Sequence, residues 1–460
     1  MSGTERPSVV HALTASGRAR WAAVLVVLAV ASTLLLVHRH DGPASGAATS
    51  SASTSSDPSA SQNPPTYDEQ RRAEVTELLE RWAAALRSGD ESALRGLLDP
   101  LADPTFVDAQ VRRATVVPTV PFSDFDYEIG DEPETPVPSS IAEQLDATDV
   151  WAPPVYLRYA VQGPDASPTR RPVSLVVAER DGQWRLVDDA DLPTYRRHTW
   201  RGPWDFGPVT VRSVATASGT SVVLGHPDRE QFVADVAAEL PAATAAVTDF
   251  WGADWARDGL VFVSSTAEEF DESTGSSPST DVAAVTVSDA VAGGSRPTGQ
   301  RVVFGPDAAS RLTPFTLRSV LRHELTHVAA RAKTAEGTAL WVAEGFADYS
   351  GYRSSGADFR QLAPTLASIV AAGGPPTVLP KDEDFGAGGT RSNVAYESAW
   401  SVFAFVADRY GESTLRRFYE ALAAGPGSDG VVDAAITSVL SSSRTRFVAE
   451  WGKWVAARSR

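Results

Sequence analysis

Two histidines four residues apart, His323 and His327, constrain this chain more than any other feature of its sequence. They lie in the segment PFTLRSVLRHELTHVAARAK, in which Thr313 is a good N-cap residue and Pro314 suits the first helical position. The segment therefore predicts a helix that runs to about Lys333. Because residues four apart share one face of a helix, both imidazoles can approach a single ion.

The residue types in this helix are those of a metal site. Glu324 follows the first histidine and projects beside it. The chain has no cysteine, so disulfides, thiolate zinc sites and thiol nucleophiles are excluded. Any metal site must use His, Asp and Glu. Histidines with this spacing suit one Zn²⁺ ion, which in a catalytic site needs a third protein ligand and one open position.

The third ligand is expected in a second helical segment, WVAEGFADY. Its amphipathic pattern carries Glu344, which comes seventeen residues after His327, and Asp348 one turn later. Glu344 is the preferred ligand, and Asp348 can accept the spare N–H of a metal-bound imidazole and fix its tautomer. Glu336 is the competing ligand, but it lies beside Gly337, too near the end of the first helix for the chain to fold back easily.

With both segments in place, the chain resembles a gluzincin zinc metallopeptidase of the peptidase MA-like group. The resemblance rests on HELTH followed by WVAEGFADY and covers about residues 207–460. It implies a thermolysin-like domain with a mostly helical C-terminal half, which hydrolyses bonds of a peptide or protein substrate by zinc-activated water. It assigns His323, His327 and Glu344 as the zinc ligands and Glu324 as the general base. It assigns Asp348 as the residue that orients a ligand.

The same resemblance suggests how a substrate is held. In the family, a strand before the active-site helix borders the cleft and pairs with substrate backbone, and RVVF (residues 301–304) fits that position. Tyr396 resembles a tyrosine that stabilises the tetrahedral intermediate, although it can also be an ordinary packed aromatic at a helix start; Tyr349 and Tyr352 are weaker candidates. Aminopeptidases of this kind also carry a Gly-x-Met-Glu-Asn element that captures the free amine of the substrate, and the only methionine here is Met1. This departure argues against that aminopeptidase family and leaves endoproteolysis or an unassigned peptide specificity.

Residues 67–200 show a different pattern, in which helices precede strands. The opening AEVTELLERWAAALRSGDESALRGLLDP predicts two helices, and VYLRYAV, VSLVVA and QWRLV predict strands, with a tight turn at Asp181-Gly182. The segments LLERWAAALRSGD and ERDGQWRLVDD resemble the NTF2-like superfamily, in which opening helices pack into a curved sheet. The resemblance implies an α+β domain that serves as a spacer or a binding module, because that superfamily includes both enzymes and non-catalytic modules.

The N-terminal part predicts a membrane anchor. Residues 21–37 form an apolar run that approaches the thickness of a bilayer core, and the preceding Arg18 and Arg20 favour a cytoplasmic tail over residues 1–20. The Ser-, Ala- and Pro-rich residues 38–66 predict a flexible linker. The rest of the chain is then expected outside the cell, on a single-pass membrane protein. The alternative is a signal peptide that is cleaved, which would release the body.

The predicted fold class is therefore α+β, with a single N-terminal transmembrane helix, an NTF2-like domain (67–200) and a gluzincin metallopeptidase domain (207–460). The formal net charge of −17 makes nucleic acid a poor partner, because it repels phosphate. The sequence indicates no oligomeric state. Two other functions stay open: a cell-envelope protein that binds metal or peptide without turnover, and a zinc enzyme that hydrolyses a non-peptide amide.

Overall fold

A computed structural model describes residues 64–137, 139–192, 195–216, 218–275, 282–291 and 296–460. Helices and strands in this part are numbered in chain order. The helices are α1 (Tyr67–Ser88), α2 (Glu91–Leu97), α3 (Pro104–Val116), α4 (Ser139–Leu145), α5 (Glu230–Trp251), α6 (Ala267–Thr274), α7 (Ala308–Arg311), α8 (Pro314–Ala330), α9 (Leu340–Tyr352), α10 (Phe359–Leu362), α11 (Pro364–Gly373), α12 (Asp382–Phe385), α13 (Gly389–Tyr410), α14 (Glu412–Ala423), α15 (Asp429–Leu440) and α16 (Arg444–Arg458). The strands are β1 (Phe122–Ile129), β2 (Asp149–Trp151), β3 (Val155–Val161), β4 (Thr169–Val173), β5 (Val176–Arg180), β6 (Gln183–Asp188), β7 (Thr210–Ala215), β8 (Thr220–Gly225), β9 (Leu260–Val263), β10 (Ala284–Val287) and β11 (Arg301–Phe304).

Residues 64–206, here called the N-terminal unit, contain α1–α4 and β1–β6. The predicted turn between the last two strands is present, with positive φ angles at Asp181 (54°) and Gly182 (74°), as a tight hairpin requires. The predicted strand over residues 173–178 is broken, because β4 ends at Val173 and β5 begins at Val176. The strands therefore form two antiparallel three-stranded sheets, β1-β3-β4 and β2-β5-β6, in place of the single curved sheet expected.

Residues 207–460, here called the C-terminal unit, contain a five-stranded sheet in the order β10-β11-β9-β8-β7. Strand β9 pairs in parallel with β8 on one side and with β11 on the other, while β7 and β10 are antiparallel to their neighbours. Helix α5 connects β8 to β9, because two parallel neighbours need a crossover connection. Helices α8–α16 follow the last strand and form the rest of the unit.

Two sequence predictions are corrected by these observations. The chain is mixed α/β, with about 53% helix, because parallel strands joined by a helix replace the segregated helices and strands of an α+β fold. The predicted transmembrane helix over residues 21–37 lies outside the described residues. Within the described ranges, every helix is too short or too polar to cross a bilayer. The predicted fold class with a transmembrane helix and the predicted single-pass membrane location are contradicted by this finding.

The five-stranded sheet is buried on both faces. One face packs against α5 and α8, and it includes Val223, Val261 and Phe304. The opposite face belongs to the hydrophobic core of the N-terminal unit. Side chains on that face are Val222, Leu224, Leu260, Phe262, Val285 and Val303. Strands covered on both faces lack the alternation of apolar and polar residues, which is why VVL (222–224), LVFV (260–263) and VVF (302–304) are continuous apolar runs.

Polar contacts also join the two units. The guanidinium of Arg301, on β11, donates two hydrogen bonds of 2.7 and 2.8 Å to Asp165, and both side chains are buried. Asp289, just after β10, accepts hydrogen bonds from Arg171 (2.9 Å) and Thr169 (3.0 Å) on β4. Burial opposes ionisation of Asp289, but Arg171 and the hydroxyl donors outweigh it and lower the pKa of this carboxyl. The N-terminal unit therefore holds the end of β10.

Candidate metal centre

Helix α8 carries the HELTH residues and begins where the sequence predicts. The side chain of Thr313 accepts a hydrogen bond from the backbone N–H of Thr316 at 3.2 Å, and Pro314 is the first helical residue. The α-helix ends at Ala330 and continues as a short 3₁₀ turn over Arg331–Lys333.

Helix α9 lies against α8 with almost no space between their backbones. A Cβ atom added to Gly351 would lie 2.8 Å from the carbonyl oxygen of Ser319 on α8. A Cβ atom on Gly345 would lie 2.6 Å from the carbonyl group of Ala399 on α13. Real Cβ atoms do not approach backbone so closely, so only glycine permits this packing. The two glycines therefore bring the carboxylate of Glu344, on α9, up to the histidines of α8.

The side chains of His323, His327 and Glu344 meet at one point, with their ligand atoms all within 4.8 Å of one another. The two Nε2 atoms are 3.0 Å apart, and the carboxylate oxygens of Glu344 lie 3.4 Å from His323 Nε2 and 3.7 Å from His327 Nε2. Donors that surround Zn²⁺ tetrahedrally at 2.0–2.1 Å are about 3.3 Å from each other. The three side chains can therefore hold a metal ion at the spacing that zinc requires.

The chemistry of these donors also fits a cation. Glu344 is 1% exposed, and neither of its carboxylate oxygens has a hydrogen-bond partner within the described part of the chain. Burying a charged carboxylate without a positive or hydrogen-bonding partner costs roughly several kcal/mol. Burial also lowers the pKa of His327 to about 4, against the pull of Glu344, so its imidazole is neutral near pH 7, as metal ligation requires. A divalent cation at this point would compensate the buried charge.

Asp348 contacts His323 at the ring nitrogen that faces away from His327 and Glu344. Its Oδ1 atom is 2.8 Å from Nδ1 of His323, which leaves Nε2 of that ring directed at His327 and Glu344. Burial alone would lower the pKa of His323, but the contacts with Asp348 and Glu344 outweigh it and raise this pKa well above its usual value. Asp348 thus has the place of a carboxylate that orients a metal-binding imidazole and fixes its tautomer.

Glu324 is fully buried beside this group. Burial raises the pKa of its carboxyl to about 7, although His323 and a hydrogen bond from Thr286 act in the opposite direction. Thr286, on β10, donates that hydrogen bond to Oε2 at 2.6 Å. The other oxygen, Oε1, has no hydrogen-bond partner among the described residues. Glu324 therefore has one oxygen held by Thr286 and one buried oxygen without a hydrogen-bond partner in the described ranges.

The remaining sequence candidates lie at different distances from the centre. Tyr396, on α13, is 6% exposed. Burial raises the pKa of its hydroxyl, and the charges of Glu344, Asp348 and Glu324 raise it further, which places this hydroxyl near the centre.

Tyr349 instead donates a hydrogen bond to Glu412 at 3.0 Å, on the far side of α9. The competing ligand Glu336 is exposed on a turn and is not part of the cluster. For Tyr352, burial and then the charges of Asp348 and Glu397 raise the hydroxyl pKa.

The strand at the edge of the sheet is not the one predicted. RVVF forms β11, whose two edges are already paired with β10 and β9, so it cannot add another strand. The edge is β10, which has β11 on one side and no described strand on the other. Thr286, on β10, is a further residue of the site that was not predicted from the sequence. The segment AVTV predicts a strand, but nothing in its spacing indicates that it contacts a helix 38 residues later.

Replacing Gly351 by alanine should weaken metal binding, because the added methyl would push α9 away from the Ser319 carbonyl and move the Glu344 carboxylate with it. We expect metal affinity to fall about tenfold or more, as it does when ligand orientation is disturbed. The matched control is Gly373→Ala, at the end of α11, where an added Cβ meets no atom within 4 Å. Competition with a fluorescent zinc chelator measures both; equal affinity of both variants and the wild type would refute the packing argument.

Comparison with known proteins finds solved structures that are similar to part of this chain. No protein-family model matches the chain, and no curated protein sequence does. One solved structure, an M1 zinc metallopeptidase from Deinococcus radiodurans, is 15% identical with a TM-score of 0.34, over 60% of this chain and 58% of the other. A mutant bound to a Tyr-Ser-Ala substrate gives 15% and 0.31, over 61% of this chain and 59% of the other. The matched region thus spans less than two thirds of these proteins. These matches do not support the NTF2-like resemblance of residues 67–200.

Proposed function

We propose that this chain is a zinc-dependent peptidase with a single Zn²⁺ ion held by His323, His327 and Glu344. One observation carries the proposal: three donors lie at the spacing of a tetrahedral site, and one of them, Glu344, is a buried carboxylate without a hydrogen-bond partner within the described ranges. A second carboxylate, Glu324, lies beside them with an available oxygen. This combination is what water-activating hydrolases need and what a purely structural metal site does not.

Bound zinc would supply a Lewis acid that acidifies water and polarises the carbonyl of the substrate. Each neighbouring side chain then has a defined task. Glu324 takes a proton from the attacking water and returns it to the departing amine, and its position next to His323 allows both transfers. Asp348 keeps the His323 ring in one orientation through the 2.8 Å contact at Nδ1. Tyr396 donates a hydrogen bond to the oxyanion that forms on the carbonyl.

A peptide is the substrate class that the surroundings of the centre suit best. The edge strand β10 offers its backbone N–H and C=O groups to an extended chain, and it reaches the base through Thr286. An added peptide strand would lie along β10 and present a backbone carbonyl near Glu324. A small non-peptide amide would gain nothing from these backbone groups.

The replacement Glu324→Gln tests the proposal. It keeps the shape of the side chain and removes the base, so kcat on a peptide library should fall by about 10²- to 10⁴-fold. Zinc content, measured by elemental analysis, should stay at one ion per chain, because Glu324 is not a ligand. Undiminished cleavage would refute the role of Glu324. If the wild type binds one zinc ion and cleaves no peptide, the chain is a binding protein.

A further inference from the structure

The hydroxyl of Thr286 makes the closest polar contact that any described residue makes with the Glu324 carboxylate. Its Oγ1 atom is 2.6 Å from Oε2 and 3.2 Å from the backbone carbonyl oxygen of the same residue. A hydroxyl has a single proton, and the shorter contact to the charged oxygen is the stronger one. Because a glutamate carboxylate turns easily about its last bond, a donor fixed to one oxygen also determines where the other oxygen lies.

Thr286 can act in this way because β10 itself is fixed in register against α8. Side chains two apart on a strand point to the same side, and Ser288 follows Thr286 with this spacing. Ser288, the first residue after β10, accepts a hydrogen bond of 2.7 Å from the guanidinium Nε of Arg331, the first residue of the 3₁₀ turn after α8. Residues 286–288 are therefore held at two points, one on α8 and one on the turn that follows it.

The N-terminal unit also holds the C-terminal end of β10. Asp289 accepts hydrogen bonds from Thr169 and Arg171 of β4, as described above, and from Thr298 at 2.8 Å. These three donors are themselves partly buried, so water competes poorly for their partner. Thr286 thus lies in a short strand that is fixed at the helix on one side and at β4 on the other.

We propose that Thr286 is a positioning residue for the general base: it holds Oε2 of Glu324 so that Oε1 faces the reacting water. The proposal rests on the proposed function, since it assumes that Glu324 is the base. Oε1 has no hydrogen-bond partner in the described ranges, so it can receive a hydrogen bond from water without breaking another contact. Loss of the Thr286 hydroxyl would let the carboxylate rotate and divide its time between productive and unproductive orientations.

Two variants separate this role from a structural one. Thr286→Val removes the hydroxyl and keeps the branched shape that suits a strand, whereas Thr286→Ser keeps the hydroxyl and loses a methyl. We expect kcat of Thr286→Val to fall about 10- to 100-fold, the rate equivalent of one hydrogen bond to a charged group. KM and zinc content should remain within twofold of wild type, because the residue binds neither substrate side chains nor the ion. Thr286→Ser should recover most of the rate.

A second measurement does not depend on turnover. Crystals of the metal-free wild type should show one conformation of the Glu324 carboxylate, and crystals of Thr286→Val should show two or a rotated one. The proposal fails if Thr286→Val keeps the wild-type kcat, if Thr286→Ser loses as much as Thr286→Val, or if the carboxylate is unchanged in the Thr286→Val crystals. If the wild type itself cleaves no peptide, the proposed function fails, and the crystals alone decide whether Thr286 orients Glu324.

Discussion

A fragment of residues 207–460 should fail to fold as a soluble monomer, although the sequence predicts these residues as a domain of their own. Without the N-terminal unit, one whole face of the five-stranded sheet would meet water. Six buried apolar side chains would be uncovered: Val222, Leu224, Leu260, Phe262, Val285 and Val303. At about 1.5–3 kcal/mol each, their burial contributes roughly 10 kcal/mol or more, comparable with the whole stability of a typical domain, about 5–15 kcal/mol.

The loss would extend to polar groups. Arg301 would keep its place on β11 and lose both hydrogen bonds to Asp165, and its guanidinium would be exposed to water. Expression of residues 207–460 beside residues 64–460 tests the prediction, with size-exclusion chromatography and cooperative urea unfolding as readouts. We expect the longer chain to be monodisperse and to unfold cooperatively. A shorter chain that does the same, with equal zinc affinity, would show that the N-terminal unit is a separate module.

Replacing Glu344 by glutamine should abolish zinc binding, and with it all turnover. The side chain keeps its size, but it loses the negative charge that neither imidazole can supply. We expect zinc affinity to fall by more than about 100-fold, beyond the 10- to 100-fold typical of residues that only orient a ligand. Zinc at 100 times its Kd should stabilise the wild type by about 2.7 kcal/mol and leave the variant unchanged. Thermal unfolding with and without zinc measures the difference.

Two further variants give zinc affinities with which that of Glu344→Gln can be compared. Asp348→Asn should lower zinc affinity less than Glu344→Gln does, because Asp348 touches only the far nitrogen of His323. Glu336→Ala, on the exposed turn between the two helices, should change nothing. If Glu336→Ala abolishes zinc binding and Glu344→Gln does not, the assignment of the third ligand is reversed.

The parts of the fold that follow from short-range rules could be predicted from the sequence. The Thr313-Pro314 helix start and the Asp181-Gly182 turn depend on a few neighbouring residues, and both are where the sequence predicts them. The convergence of His323 and His327 follows from the pitch of one helix. The sequence also favoured Glu344 over Glu336 as the third ligand, because Glu336 lies too near the end of the first helix, but the distance of Glu344 from the histidines depends on how two helices pack.

The parts that depend on distant contacts could not be predicted in this way. Residues 302–304 of RVVF are all apolar because the strand is covered on both faces, yet the sequence does not tell which strands flank it. Thr286 carries no sign of its contact with Glu324. The sharing of one core by the N-terminal unit and the sheet is equally invisible, since Leu260 and Phe262 would be apolar in any buried strand.

The glycines of α9 also limit which ions the centre can accept. With Gly345 and Gly351 in backbone contact with their neighbours, α9 cannot shift outward to enlarge the space among the three donors. Calcium needs six to eight oxygen ligands at about 2.3–2.6 Å, and magnesium prefers an octahedron of oxygens. If the centre holds zinc as proposed, two imidazole nitrogens and one carboxylate at this spacing would suit neither of these abundant ions. Discrimination among cations is in this way built into the helix spacing.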